Sequence, residues 1–240
     1  MYRFYHQPLA DCALSDTIEL DRDQARHALK ALRLEIGAEV ELFDGRGHIA
    51  TGHLVDANAR KPLAVIEVGE VTYTPPVKPN VTIATAIPKG PLADQMVVQL
   101  SQLGVDRLVP LRTQRSIVEP NPARLVRFSR TVIESAKQSR RAHAMQVEAT
   151  TSLEVMLEEV HPVRLIAHGG ATGPVQGLAF ELHRAASALV LVGPEGGFTD
   201  DEVVMAERAA CRRWRLGPHI LRVETAAVAA AAVVRYLAST

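Results

Sequence analysis

Two glycine-bearing turns in the last quarter of the chain, Gly193-Pro194-Glu195-Gly196-Gly197 and Leu216-Gly217-Pro218, constrain the fold of these 240 residues more than any other feature. Each follows a strand pattern and leads toward a helix pattern. The first comes off the apolar run 188–192, and Thr199 with Glu202 three residues later forms a capping-box pair that announces a new helix. Glycine lets the main chain approach a ligand closely or take up positive φ, and proline stiffens the approach. Two such turns at neighbouring strand ends therefore suit an α/β pocket built largely from main chain and sized for a nucleoside-like cofactor. Taken alone, 193–197 fits a tight strand-to-helix connection equally well. The second turn adds Arg222 and Glu224 at the mouth of an alanine-rich helix, where an ordinary connection needs no charged pair. Neither turn matches G-x-x-x-x-G-K-[ST] or G-x-G-x-x-G, so nucleoside triphosphate and dinucleotide readings lack support.

The rest of the chain divides at Thr74-Pro75-Pro76-Val77-Lys78-Pro79-Asn80, where three prolines in five residues favour a stiff, extended connector. Residues 1–73 read as a small β-rich, barrel-like module. Strands are expected at 3–6, 39–43, 48–56 and 63–73, with one helix at 22–32 capped by Asp21, and Asp44-Gly45-Arg46-Gly47 supplies the turn between the second and third strands. Residues 81–240 alternate instead. Strands at 81–87, 107–111, 163–167, 188–192 and 212–216, with helices at 91–103, 122–141 and 224–237, predict a parallel sheet covered by helices. His168-Gly169 then joins the two glycine turns beyond strand ends. The alanines of the last helix permit close backbone approach, serving either an internal contact or a dimer surface.

Net charge is zero, but its distribution is uneven. Residues 1–77 hold 8 Lys/Arg against 12 Asp/Glu, 78–150 hold 11 against 5, and 151–240 hold 8 against 10, giving −4, +6 and −2. In the central segment Arg127, Arg130, Lys137 and Arg141 recur along one helix face opposite Leu125, Val132 and Ile133, with Glu134 interrupting; Arg112, Arg115, Arg140 and His143 extend the stripe. This is either a solvated face or the electrostatic footprint of a phosphate backbone. Cys12 and Cys211 lie far apart without metal-ligand spacing, and no Glu is flanked by a helical histidine pair, so neither a disulfide framework nor a metal site is expected. An apolar run long enough to cross a membrane and an export signal are both lacking, which predicts a cytoplasmic protein.

These residues resemble the SPOUT class of S-adenosylmethionine-dependent RNA methyltransferases, and within it the bacterial small-subunit (16S) ribosomal RNA uridine-N3 methyltransferase E family. The likeness runs over nearly the whole chain. Its most specific parts are 191–198 with Asp201-Glu202, and Leu216-Gly217-Pro218 through Ile220-Leu221-Arg222-Val223-Glu224-Thr225-Ala226. Supporting matches are 27–33, Leu42-Phe43-Asp44-Gly45, Lys89-Gly90, Leu103-Gly104-Val105 and 134–141; Gln99 and Gln102 depart from the Lys and Glu frequent in the family. The resemblance implies a PUA-like RNA-binding barrel at 1–73, a linker at 74–80, and a trefoil-knotted parallel-sheet methyltransferase domain at 81–240 that works as a homodimer on 16S ribosomal RNA or the small ribosomal subunit. It implies that S-adenosyl-L-methionine lies among His168, Gly169, Gly193, Glu195, Gly196, Leu216, Gly217, Ile220, Leu221 and Thr225. Arg222 is then expected to stabilise negative charge on the uracil, and Glu224 to accept its proton or orient Arg222. Arg33, Lys89, Arg115, Arg140 and Arg141 are expected on RNA phosphates. Alternatives that stay open are a knotted enzyme for another base or a ribose, and a non-catalytic RNA-binding protein of ribosome assembly.

Overall fold

The computed structural model describes residues 1–171 and 175–239. The chain forms two compact units: Met1–Pro76 with Ala136–Ala144, and Val77–Ser135 with Met145–Thr240. In the first, β1 (Tyr2–Tyr5), β2 (Thr17–Glu19), a short α1 (Arg22–Arg26), β3 (Glu39–Phe43), β4 (His48–Asn58) and β5 (Leu63–Tyr73) build a five-stranded sheet in the order β1-β3-β4-β5-β2. Ala50, Gly52 and Leu54 on β4, like Ala64, Ile66 and Val68 on β5, alternate inward. Period-two burial gathers them with Phe4, Leu9, Leu20, Val40 and Leu42 into one core. Gly52 is required there: a Cβ would stand 2.7 Å from Ile66 and 2.8 Å from the Glu67 carbonyl oxygen.

The expected helix at 22–32 is split. Asp21 caps α1 by accepting from the N–H groups of Asp23 and Gln24, but the helix widens into a π turn at His27–Ala31 and ends at Arg33, whose φ is +55°. Gln24 is buried and does a strand's work. Its amide donates to the Tyr5 carbonyl and its oxygen accepts from the Tyr5 N–H, both at 2.7 Å, so β1 has a partner on its free side. Strand β2 was missed because three residues carry too little alternation to register.

The second unit contains β6 (Asn80–Thr85), α2 (Leu92–Gln102), β7 (Arg107–Arg112), α3 (Pro122–Ser139) as far as Ser135, β8 (Gln146–Val147), β9 (Thr151–Ser152), α4 (Leu153–Glu158) and β10 (Val163–Ala167). It continues with α5 (Leu178–Arg184), β11 (Ser187–Val192), α6 (Asp200–Arg208), β12 (Arg212–Trp214) and α7 (Val223–Ser239). The sheet runs β12-β10-β11-β6-β7-β8, with β9 paired to β7, and every pair is parallel. Five consecutive residues of β11 and five of β6 are buried, the mark of central strands covered on both faces. Helix α7 buries Ala226, Ala227, Ala230, Ala231 and Val234 and packs on α2, α5, β6 and β11, so its alanines serve internal packing. Arg235 fixes it there, donating to the carbonyls of Pro79 (2.8 Å) and Gly104 and pairing with Asp106, which also accepts from the Val81 N–H at 2.7 Å. Arg212 and Arg213 likewise tie edge strand β12 to Glu181 of α5 and Glu207 of α6 through paired hydrogen bonds. Among the described residues no helix is long and apolar enough to cross a membrane.

Candidate functional site

Strands β12, β10 and β11 are neighbours, so the segments that leave their carboxyl ends meet. They enclose a cleft of about 530 Å³. Its walls are 167–170 after β10, 192–198 after β11, and 214–221 after β12, joined by Val223 and Ala226 of α7. Nine of the ten residues expected on the cofactor line it: His168, Gly169, Gly193, Glu195, Gly196, Leu216, Gly217, Ile220 and Leu221. Thr225 is exposed and lies outside the lining.

Each wall is held by a different device. At the end of β10 the His168 N–H donates to the Trp214 carbonyl at 3.0 Å, and Nδ1 of the same residue accepts from the Gly170 N–H at 3.2 Å. After β11, Gly197 takes φ +68° and donates to the Pro194 carbonyl at 2.8 Å, closing a tight turn. At Gly193 a Cβ would stand 3.0 Å from the Phe198 ring and 3.2 Å from its backbone nitrogen, so any side chain there would have to displace Phe198. The capping box forms as expected: Thr199 Oγ1 accepts from the Glu202 N–H, and Glu202 Oε2 accepts from the Thr199 N–H at 2.8 Å. Glu202, 3% exposed, also accepts from the Gln114 N–H at 2.8 Å, which binds the segment after β7 to this turn. Arg115 completes the link by donating to the Gly196 carbonyl at 2.6 Å. After β12, Arg215 donates to the carbonyls of Gly217 (3.0 Å) and Pro218 (3.2 Å).

The remaining expected residues are dispersed. Arg222 is exposed and precedes α7, its carbonyl accepting from the Ala226 N–H, while Glu224 is half-buried in the first turn; neither lines the cleft, although Val223 between them does. Arg115, expected on RNA, lines the cleft instead of standing apart from it. Lys89 is exposed after β6. In the first unit Arg33 is exposed, Arg140 lies 4.0 Å from Glu41, and Arg141 is half-buried. Of the basic stripe, Arg127 pairs with Asp94 at 3.1 Å. Sequence reasoning passed over Trp214 and Arg215, both in the lining. Trp214 was the one legible signal, a lone tryptophan at the end of a strand just before a glycine turn.

A model of the RNA methyltransferase domain matches residues 75–235, and one of the RNA methyltransferase PUA domain matches 20–67. Ribosomal RNA small subunit methyltransferase E of Mycobacterium tuberculosis is 30% identical over 98% of this chain and 92% of its own length. The chain belongs to the ribosomal RNA small subunit methyltransferase E family. Its counterpart in Rickettsia conorii is also 30% identical, over 95% of this chain and 93% of its own. Among solved structures, a ribosomal RNA small subunit methyltransferase E from Neisseria gonorrhoeae bound to S-adenosyl methionine superposes with a TM-score of 0.86 at 28% identity, covering 99% of this chain and 98% of that one. A probable rRNA methyltransferase from Porphyromonas gingivalis gives the same TM-score at 27% identity, covering 100% and 99%. The mixed α/β fold with a parallel sheet and a small N-terminal β domain is that of this family.

Proposed function

We propose that the protein transfers a methyl group from S-adenosyl-L-methionine to N3 of a uridine in 16S ribosomal RNA. The observation that carries this is the cleft of three adjoining strand ends, in a chain that superposes over nearly its full length on a family member with that cofactor bound. The cleft fits the group. Positions where a Cβ would stand on Gly169 and Gly217 have no atom within 4 Å, leaving open space before those backbones. Ile220 is fully exposed on the rim beside Leu221 and Leu216, apolar surface that a purine would cover. When bound, the cofactor supplies an electrophilic sulfonium methyl group.

The chain's own residues then have to orient a uracil and stabilise the anion left when its imide proton departs. Arg222 is the guanidinium for that charge, and Glu224 either takes the proton or orients Arg222. Both flank Val223, which lines the cleft, and that adjacency in sequence is what supports their roles. Arg33, Lys89, Arg115, Arg140 and Arg141 are the phosphate contacts of this reading, with 1–73 the RNA-binding domain and 81–240 the knotted methyltransferase domain. The enzyme would be a cytoplasmic homodimer, needing no metal. The test is mass spectrometry of nucleosides from 16S ribosomal RNA, free or in small subunits, incubated with protein and S-adenosylmethionine. New N3-methyluridine supports the proposal; a different methylated nucleoside redirects it to another base or ribose, and failure to bind the cofactor in calorimetry favours a non-catalytic RNA-binding role.

A further inference from the structure

The turn Asp44-Gly45-Arg46-Gly47 in the first unit does more than join β3 to β4. Asp44 is 2% exposed. One of its oxygens accepts from the N–H groups of Arg46 (2.7 Å) and His48 (3.1 Å), and the other faces His48 Nδ1 at 2.8 Å. An ionised carboxylate only accepts, so Nδ1 carries the proton and the His48 ring is held in one orientation. Across the β4–β5 ladder that ring meets Tyr73, centroids 5.1 Å apart, and Tyr73 meets the His143 ring edge-on at 6.1 Å and 86°. His143 is anchored in turn by donating from Nε2 to the Thr74 carbonyl at 2.7 Å. Gly47 makes the gathering possible, since a Cβ there would stand 2.6 Å from the Tyr73 ring and 2.7 Å from the His143 ring.

Holding the loops together does not require the rings. Main-chain bonds do that: Gly47 N–H to the Ala142 carbonyl (3.1 Å), Ala144 N–H to Gly45 (2.9 Å) and Thr74 N–H to Gly47 (2.8 Å). Yet Tyr73 remains 57% exposed on a fixed bed of two imidazoles, and exposed Arg46 belongs to the same turn, its backbone bridging that of His143. A rigid aromatic face beside a cation is the arrangement that takes an unpaired nucleobase by stacking and its phosphate by charge. We propose that Tyr73, backed by His48 and His143 and flanked by Arg46, is a nucleotide-stacking site that grips one unpaired residue of the RNA. This rests on the RNA methyltransferase reading above.

The test uses the full chain saturated with S-adenosylmethionine and a fluorescently labelled single-stranded oligoribonucleotide of about ten nucleotides, read by anisotropy. Tyr73→Ala should raise Kd roughly ten- to a hundredfold, while Tyr73→Phe stays within about twofold. Arg46→Ala should weaken binding several-fold and lower the salt slope by about one charge. Cofactor affinity should be unchanged throughout; if Tyr73→Ala loses it, Tyr73→Leu, which keeps bulk without a π face, becomes the deciding variant. A deciding variant that binds within twofold of wild type overturns the stacking site. A wild type that ignores the oligoribonucleotide overturns it too, even if ribosomal RNA is methylated, and one that does neither overturns the functional reading with it.

Discussion

The two glycine turns of the cleft look alike as sequence and are built differently. The one after β11 is locked from below, where buried Glu202 accepts from two backbone N–H groups, Gly197 closes a turn, and Arg115 grips the Gly196 carbonyl. The one after β12 has an exposed arginine looping back on two carbonyls, and its Ile220 is wholly in solvent. One wall is therefore held by the protein's own bonds, and the other leaves apolar surface uncovered, so any packing it gains would have to come from a ligand. A fixed wall supplies geometry, and an adaptable wall beside Arg222 and Glu224 supplies closure where the chemistry is proposed.

The comparison breaks most readily at Glu202. Glu202→Ala removes a helix cap and leaves the Gln114 and Thr199 N–H groups without their acceptor, so a loss of about 3 kcal/mol in denaturant unfolding is expected. A loss below about 1 kcal/mol would mean that the first wall is not locked. Next comes Arg222→Ala, beside the adaptable wall. Turnover should fall about a hundredfold while calorimetric affinity for S-adenosylmethionine holds within twofold, and a near-normal rate would remove Arg222 from the chemistry. Ile220→Ser should cost about 1 kcal/mol of cofactor affinity, a five- to tenfold rise in Kd, with an unchanged melting temperature in the ligand-free protein. A drop in that temperature would show the second wall to be packed already. Arg215→Ala should change affinity only two- to threefold. The smallest effect lies at the other end of the sheet, where Arg107 starts β7 and donates to Glu159 at 2.8 Å, holding that carboxyl below its ordinary range; His161 assists. A lowered carboxylate pKa stabilises the fold above the unfolded value of about 4.3 and loses that contribution as pH falls through the folded value. Since the pair is more than a third exposed on the glutamate side, a few tenths of a kcal/mol should disappear on acid titration, and Glu159→Gln should abolish that increment.

What the sequence disclosed and what it hid follow the range of the interactions. The turn at 193–197 was legible because its signals are local: an apolar run before it, two glycines in it, and a capping box behind it. The same holds for β3, β5 and β10, whose bounds match expectation, and for the meeting of three strand ends, which a parallel sheet imposes. Hidden were the short β2, β8, β9 and α4, each briefer than the pattern needed to see it. Also hidden were contacts with no local trace. Arg115 reaches a carbonyl 81 residues away and Glu202 an N–H 88 residues away, so nothing near either residue announces the partner. The ring cluster escaped for the same reason, His143 and Tyr73 being read separately as stripe and strand.

Arg235 carries a temporal consequence. Its partners Pro79, Gly104 and Asp106 precede it by 129 to 156 residues, and synthesis runs from the amino end. The nascent β6–β7 region must wait for nearly the whole remaining domain before its two carbonyls and one carboxylate meet their cation. Assembly of this half should accordingly occur in a single late event, with chaperone demand concentrated in the interval before α7 emerges.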